Sequence, residues 1–208
     1  MLAGKFIVFE GIDGAGKTTQ MELLAGFLKK MDIPVLCTRE PGGTRIGGRL
    51  RELLLDPACH DISHRTEAFL YAADRAQHVD EIIRPALVKG ITVLCDRFVY
   101  STLAYQGWGR GMDMALLRQL NELATGALVP DAVVLLDITV REGISRVLGQ
   151  RPPDRLEGEK NDFFRRVRDG YLEMALRWPG TFRVVEGDGP VEDVHRRILK
   201  AVGDLITP

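Results

Sequence analysis

An α/β domain on a parallel sheet is predicted by three features of the sequence. Short apolar runs alternate with segments of helical spacing. The runs Ile91–Cys95 (ITVLC) and Asp131–Asp137 (DAVVLLD) are almost continuously apolar. The run Lys5–Glu10 (KFIVFE) leads straight into a Gly-rich turn and then a helix. Continuous apolar strands belong to sheets covered on both faces, which are parallel and joined by right-handed crossovers.

The elements follow in order. Lys5–Glu10 (KFIVFE) reads as the first strand and Thr18–Met31 as the first helix. Pro34–Thr38 is the second strand. Ile46–Leu55 is helical, with Leu50, Leu53 and Leu54 on one side. Ser63 is an N-cap for a long helix to about Val88, which Pro85 kinks or shortens. Along it Phe69, Ala72, Ala73 and Ala76 form an apolar stripe that assigns Phe69 to the core. Ile91–Cys95 and Asp131–Asp137 are the third and fourth strands. Thr139 with Glu142 makes a capping box for the next helix. Arg151–Lys160, opening on Pro152 and Pro153, reads as a mobile loop, and Asp162–Trp178 as a helix. Phe182–Glu186 is the fifth strand, and Pro190–Ile206 a last helix with Pro190 in its first turn.

The 208 residues suffice for one domain, 1–208, with a sizeable core. Hydrophobic residues make up 45% and charged residues 27%, a globular profile. The net charge of −1 supplies no basic field for a nucleic acid polymer, so any anion must be held by local arginines and backbone dipoles. The three cysteines include no C-x-x-C pair. Cys37 and Cys95 lie in predicted apolar strands, where a reduced thiol packs as a small hydrophobe. The four histidines show no metal spacing. Met1–Glu10 lacks a signal-peptide pattern, and no stretch approaches the roughly 20 apolar residues of a membrane span. A cytoplasmic protein is expected.

Gly11-Ile12-Asp13-Gly14-Ala15-Gly16-Lys17-Thr18 is G-x-x-x-x-G-K-T between a strand and a helix, the context of a P-loop. The stretch, extended to Thr19, would wrap phosphates with inward N–H groups at a helix N-terminus. Lys17 would reach the β- and γ-phosphates and Thr18 would offer its hydroxyl to Mg²⁺. The N-K-x-D string of GTPases is absent, and so is the early lysine of partitioning ATPases. ATP-dependent phosphoryl transfer and a nucleotide switch both remain open on this motif, so acceptor-side residues must decide.

Asp13 repels phosphate unless it serves an acceptor hydroxyl or a metal-bound water; the alternative is a turn-stabilising aspartate. Asp96-Arg97 ends a buried strand, where open α/β sheets bind ligands: the acid suits a metal's water shell and the arginine a phosphate, against a plain surface ion pair. Tyr71 and Arg75, spaced i, i+4, suit a flat polar base, against a surface Tyr–Arg pair. Arg39-Glu40-Pro41-Gly42-Gly43-Thr44 forms a loop at the P-loop's edge of the sheet. Arg51, two turns on, is either a phosphate clamp or a solvated charge. Arg151 and Arg155 flank the Pro-containing loop, which would act as a lid over about 149–160. An arginine so delivered contributes roughly 10³–10⁵ in rate in GTPases.

The chain resembles the bacterial-type thymidylate kinases, a nucleoside monophosphate kinase family, along almost its whole length. The matching strings are FEGIDGAGKTTQ (9–20), TREPGGT (38–44), RTEAFLYAADRAQHV (65–79), DRF (96–98), STLAYQGWGRG (101–111), PDAVVLLD (130–137) and DRLE (154–157). The resemblance implies a P-loop NTPase fold: a five-stranded parallel sheet of order 2-3-1-4-5, flanked by helices. It implies phosphorylation of dTMP by Mg·ATP, to dTDP and ADP, and a homodimer. Asp13 would meet the acceptor's sugar or phosphate side, and Asp96 would hold Mg²⁺ directly or through water. Arg51 and Arg97 would hold the acceptor phosphate. Tyr71 would stack on thymine, with Arg75, Thr102 and Gln106 at its polar edge. Ser101 would line the same site. Tyr105 would crowd a ribose 2′-hydroxyl, and Glu40 and Pro41 would lie near the sugar and base methyl. The family usually has Phe where this chain has Tyr71, whose hydroxyl needs a partner or water. Some members carry a basic residue at the position of Gly14. Its absence here points to lid arginines, Arg151 and Arg155. A kinase for another monophosphate such as UMP or CMP, a nucleotide-gated switch and a structural domain with a vestigial P-loop are the rival readings.

Overall fold

The computed structural model describes residues 4–147 and 154–206. Its strands are β1 (Phe6–Glu10), β2 (Val35–Arg39), β3 (Thr92–Asp96), β4 (Ala132–Asp137) and β5 (Phe182–Glu186), all parallel, in the order β2-β3-β1-β4-β5. The helices are α1 (Lys17–Lys30), α2 (Arg45–Leu55), α3 (His64–His78), α4 (Arg84–Val88), α5 (Val99–Thr102), α6 (Met114–Thr125), α7 (Val140–Val147), α8 (Asn161–Arg177), α9 (Val191–Ala201) and α10 (Gly203–Ile206). The expected fold class and strand order are observed.

Every residue of β1 is buried, as are all but the last of β3 and β4. Each such Val, Leu, Ile or Phe contributes roughly 1.5–3 kcal/mol by leaving water. Phe6 meets Phe98 edge to face at 5.0 Å. The edge strands are less covered. Cys95 is buried, but Cys37 on β2 is exposed, so the expectation that both pack as hydrophobes holds only for Cys95. Sequence reading treats both faces as covered; a strand with one open edge and a cleft above it does not obey that rule.

Helix ends follow their capping residues. Ser63 Oγ accepts from Thr66 N at 3.2 Å and Thr44 Oγ1 from Gly47 N at 2.9 Å. Thr139 and Glu142 close the expected capping box, with Glu142 N on Thr139 Oγ1 and Thr139 N on Glu142 Oε2. The long helix does not run unbroken to Val88. A widened π turn at Val79–Ile83 precedes Pro85, which cannot donate an N–H to the preceding turn.

Two side chains differ from expectation. Phe69 is 61% exposed, and the buried face of α3 carries Glu67, Ala68, Ala72, Asp74, Arg75 and His78 instead. Leu54 is fully buried, but Leu53 is 42% exposed, so the α2 leucines do not share one buried side. Periodicity also assigns nothing between the third and fourth strands. The structure has α5, a π turn at Leu103–Gly109 and α6 there.

Register places the site. Asp96 lies level with Phe9 on one side and Arg39 on the other. The loops after β1, β2 and β3 therefore leave the same edge of the sheet, where β1 also marks the reversal of strand order.

Candidate active site

The P-loop leaves β1 and enters α1 through Gly16, the N-cap, at φ 86°, a left-handed conformation that favours glycine. No side chain caps this end, so its N–H groups are left for an anion. Gly14 is held tightly: a Cβ there would come within 2.3 Å of the Gly143 carbonyl oxygen on α7. With φ at 79° as well, any side chain at this position would require α7 or the loop to shift. Lys17 is buried. Its Nζ donates to the carbonyls of Gly11 and Ile12 at 3.1 and 3.0 Å, and burial, then Arg97, lowers its pKa.

Thr18 Oγ1 donates to Asp96 Oδ2 at 2.9 Å, while Asp96 Oδ1 is buried without a hydrogen-bond partner. A hydroxyl and an unsatisfied carboxylate oxygen beside an anion cradle are hard donors that fit Mg²⁺.

Arg97 follows Asp96 at φ 70°, a left-handed conformation in a non-glycine residue, and such strain concentrates at functional sites. Its guanidinium donates to Asp13 Oδ1 (2.6 Å), Tyr105 Oη (3.1 Å), Ser101 Oγ (3.2 Å) and the Gly11 carbonyl (3.1 Å). Tyr105 Oη in turn donates to Asp13 Oδ2 at 2.9 Å. Burial raises the Asp13 pKa, but Arg97, Lys17 and the hydrogen bonds outweigh it and hold the carboxyl at about 2.

Beneath this group lies Glu10, fully buried. It accepts from Phe98 N (2.9 Å), Ser101 N (3.1 Å), Ser101 Oγ (2.6 Å) and Tyr171 Oη (2.8 Å), and burial raises its pKa against those bonds.

Two clefts flank the arginine. The larger, about 940 Å³, runs from the P-loop past Thr19 to Arg146, Gly187, Gly189, Val191 and Val194. The smaller, about 110 Å³, is lined by Pro41, Tyr71, Arg75, Ser101, Thr102, Tyr105 and Gln106, with Asp154 and Leu156. Asp13, Glu40, Arg51 and Arg97 line both. The expected acceptor residues are thus brought together.

Arg75 is not half of a surface pair with Tyr71, because it is 1% exposed. Its Nε donates to Glu40 Oε2, Nη1 to Thr102 Oγ1 and Asn121 Oδ1, and Nη2 to the Phe98 carbonyl. One Nη2 N–H remains. Glu40 is committed on its other oxygen to His78 Nδ1 at 3.0 Å. Arg51 Nη1 donates to the Pro41 carbonyl at 2.9 Å, and burial, then Arg39, lowers its pKa. Tyr71 is half-buried, its phenol pKa pushed up by burial and Glu67.

Arg151 lies outside the described residues, as does the lid up to residue 153. Arg155 does not line either cleft. Its Nη2 lies 2.6 Å from Glu67 Oε2 and its Nε donates to the Leu54 carbonyl at 2.8 Å. Sequence reasoning missed Glu10, Glu67, Asn121, Tyr171 and the far wall of the large cleft. Glu10 and Glu67 stood inside the matching strings, yet nothing local marks a carboxylate as buried.

A P-loop at the switch point of a 2-3-1-4-5 sheet, with a second cleft behind an arginine, defines a nucleotide-dependent phosphotransferase of the nucleoside monophosphate kinase class. The family model for thymidylate kinase matches residues 9–198, and the chain belongs to the thymidylate kinase family. It is 50% identical over 207 residues to the thymidylate kinase of Pelotomaculum thermopropionicum, covering 99% of this chain and 95% of that one. It is 54% identical over 188 residues to that of Desulforudis audaxviator, covering 90% and 85%. The crystal structure of thymidylate kinase from Ehrlichia chaffeensis superposes with a TM-score of 0.80 at 33% identity, covering 96% of this chain and 99% of that one.

Proposed function

We infer that this chain transfers the γ-phosphoryl group of ATP to dTMP, giving dTDP and ADP on the route to dTTP. The observation that carries this is the meeting of the two clefts at Asp13, Glu40, Arg51 and Arg97. A donor along the P-loop and an acceptor against Tyr71 would bring their phosphates together there.

Both substrates are anions, so their repulsion must be offset, and transfer needs positioning more than covalent help. Lys17 and the P-loop amides from Gly11 to Thr19 would hold the donor phosphates. Arg97 and Arg51 would hold the acceptor phosphate. An acceptor phosphate oxygen is a nucleophile at neutral pH, so Asp13, ionised down to about pH 2, acts by orienting Arg97 and the acceptor. Mg²⁺, held by Thr18 and Asp96, would supply charge neutralisation at the phosphates. Tyr71 would stack on thymine, while Arg75, Thr102 and Gln106 meet its edge. Tyr105, tied to Asp13 and Arg97, would crowd a 2′-hydroxyl. Glu40 and Pro41 would line the sugar side beside Ser101.

The 1–208 chain is proposed as one kinase domain with its lid over about 149–160. Arg151 is the proposed lid arginine for the transferring group. Arg155 could serve there only by leaving Glu67. Among the described residues no helix is long and apolar enough to cross a membrane, and a cytoplasmic setting is proposed with the family. A homodimer is proposed likewise: exposed Phe69 and Leu53 supply apolar surface for it. Sedimentation equilibrium of the purified chain measures that state.

The test of the activity is ADP formation with Mg·ATP and no acceptor, dTMP, dUMP, dCMP, UMP or dGMP in turn. Turnover dependent on dTMP, weaker with dUMP and almost silent with UMP, supports the reading; turnover indifferent to every acceptor makes the chain a nucleotide switch. Chelation of Mg²⁺ should abolish the dTMP-dependent rate.

A further inference from the structure

Glu67 lies in neither cleft, yet it bonds Gln106, which lines the acceptor cavity, and pairs with Arg155, which sits between the lining residues Asp154 and Leu156. It is fully buried on α3, one turn before Tyr71 and two before Arg75, so the three share a face. Gln106 Nε2 donates to its Oε1 at 2.9 Å. Arg110 reaches both oxygens at 3.3 Å. Arg155 Nη2 sits 2.6 Å from Oε2. Hydrogen bonds and the two arginines hold this carboxyl below its usual pKa despite its burial, which opposes them.

We propose that Glu67 is the residue that orients base recognition, by fixing which end of the Gln106 amide faces the acceptor cavity. This rests on the acceptor reading above. An ionised carboxylate only accepts hydrogen bonds, so the amide end turned to Glu67 must be the NH₂. The end left for the cavity is the carbonyl oxygen, an acceptor. It suits a base that presents an N–H at its hydrogen-bonding edge, as thymine and uracil do at N3. Cytosine presents a bare N3 there and meets acceptor with acceptor. A flipped amide would reverse that preference.

The same carboxylate sets the wall opposite. Arg155 is held by two hydrogen bonds, its backbone N on the Leu55 carbonyl (3.1 Å) and its Nε on the Leu54 carbonyl (2.8 Å), and its Nη2 forms an ion pair with Glu67 without hydrogen-bond geometry. Its neighbours Asp154 and Leu156 then line the cavity beside Tyr71 and Gln106. Arg155 is therefore a positioning residue in this arrangement, and the charge it carries is spent on Glu67. Removing either partner should loosen the acceptor site while leaving the donor site intact.

The experiment compares wild type, Glu67→Gln and the double variant Glu67→Gln/Arg155→Met for folding, KM and kcat with dTMP, dUMP and dCMP, and direct binding of the same monophosphates by calorimetry. The double variant removes both charges of the pair, so it keeps the test open should the single variant leave Arg155 buried without its partner and fail to fold. The expected result is a rise in KM and Kd of about tenfold or more for dTMP and dUMP in parallel. Affinity for dCMP should stay or improve, KM for ATP should not move, and kcat at saturating dTMP should be largely kept. A folded variant with the wild-type ratio of dTMP to dCMP overturns the proposal. So does a fall in kcat at unchanged dTMP affinity, which would place Arg155 on the transferring phosphoryl group. If wild type itself ignores dTMP, it is the activity above that fails, and the ratio is not reached.

Discussion

Arg97 Nη2 donates to Asp13 Oδ1 at 2.6 Å across the line where the two clefts meet, and the backbone that delivers Arg97 is left-handed at φ 70°. The pair ties the P-loop to the end of β3. It also keeps the guanidinium beside a carboxylate that stays ionised above about pH 2. Arg97→Ala should lower kcat by at least about a hundredfold, the scale of one lost charge-stabilising donor. The Tm should change little beside that loss. Near wild-type turnover would remove Arg97 from the transfer step.

Lys17 shows the complementary case. It rests on the carbonyls of Gly11 and Ile12, contacts that phosphate oxygens would replace. Lys17→Ala should cost about 10²–10³ in kcat, with dTMP binding measured by calorimetry almost unaffected. Equal losses of ATP turnover and dTMP affinity would mean the lysine supports the fold rather than the donor.

Tyr71→Ala should act on the other substrate. Loss of base stacking should raise KM for dTMP roughly tenfold or more at similar kcat. Tyr71→Phe should restore it, since the ring does the stacking. An unchanged KM in the alanine variant would take Tyr71 out of the base site.

The parts of this site that were legible in the sequence are those whose chemistry is local. A P-loop needs its glycines, Lys17 and Thr18 in one string, and Asp96-Arg97 follow a strand-end rule. Arg75, expected beside the acceptor, does line that cavity, but it is buried rather than on a surface face shared with Tyr71. Its partners Glu40, Phe98, Thr102 and Asn121 come from four segments, one of them the unassigned α6. Phe69 was misplaced for a related reason. Periodicity counts apolar residues, and the buried face of α3 is built largely from paired polar ones, Glu67, Asp74, Arg75 and His78. Residues 99–109 escaped because Gly107 and Gly109 and a π turn break the helical register. The strand order was legible only through resemblance, since no spacing within one chain encodes it.

Asp74 predicts a pH dependence. Its Oδ1 accepts from Gly42 N at 2.9 Å and its Oδ2 is buried without a hydrogen-bond partner. Burial and then Glu40 raise its pKa from 3.8 to about 6, against Gly42 N–H, His78 and Arg75. The folded state therefore holds a proton that the unfolded chain has released above about pH 4. This contribution is fully present below that pH and is lost as pH rises through 6, up to about 3 kcal/mol. Asp74→Asn mimics the protonated form and should lose that dependence. Its Tm relative to wild type should rise between pH 4 and 7. A constant difference across that range would show that Asp74 does not titrate there.

Glu10 predicts that the strained Arg97 turn is held from below. Its Oε1 accepts from Phe98 N, the amide next to Arg97, and from Ser101 N in the first turn of α5, and Oε2 accepts from Ser101 Oγ and Tyr171 Oη. Glu10→Leu keeps the volume but leaves both amides buried and unpaired, at about 1–3 kcal/mol each. Glu10→Gln keeps one carbonyl oxygen for the amides and turns its NH₂ to two hydroxyls, which can rotate to accept. Burial has raised the Glu10 pKa, so the neutral amide also escapes the desolvation of a carboxylate. The glutamine variant should hold its Tm within a few degrees and keep kcat within about tenfold. The leucine variant should lose several degrees and at least a further tenfold in kcat, with KM for ATP unmoved. With Arg97 on the acceptor phosphate, as proposed above, the leucine variant's loss should appear in kcat/KM for dTMP even at temperatures where the protein is fully folded. Matching kinetics for the two variants would mean that the left-handed turn is set by the P-loop and Asp13 alone, and that Glu10 serves only the core.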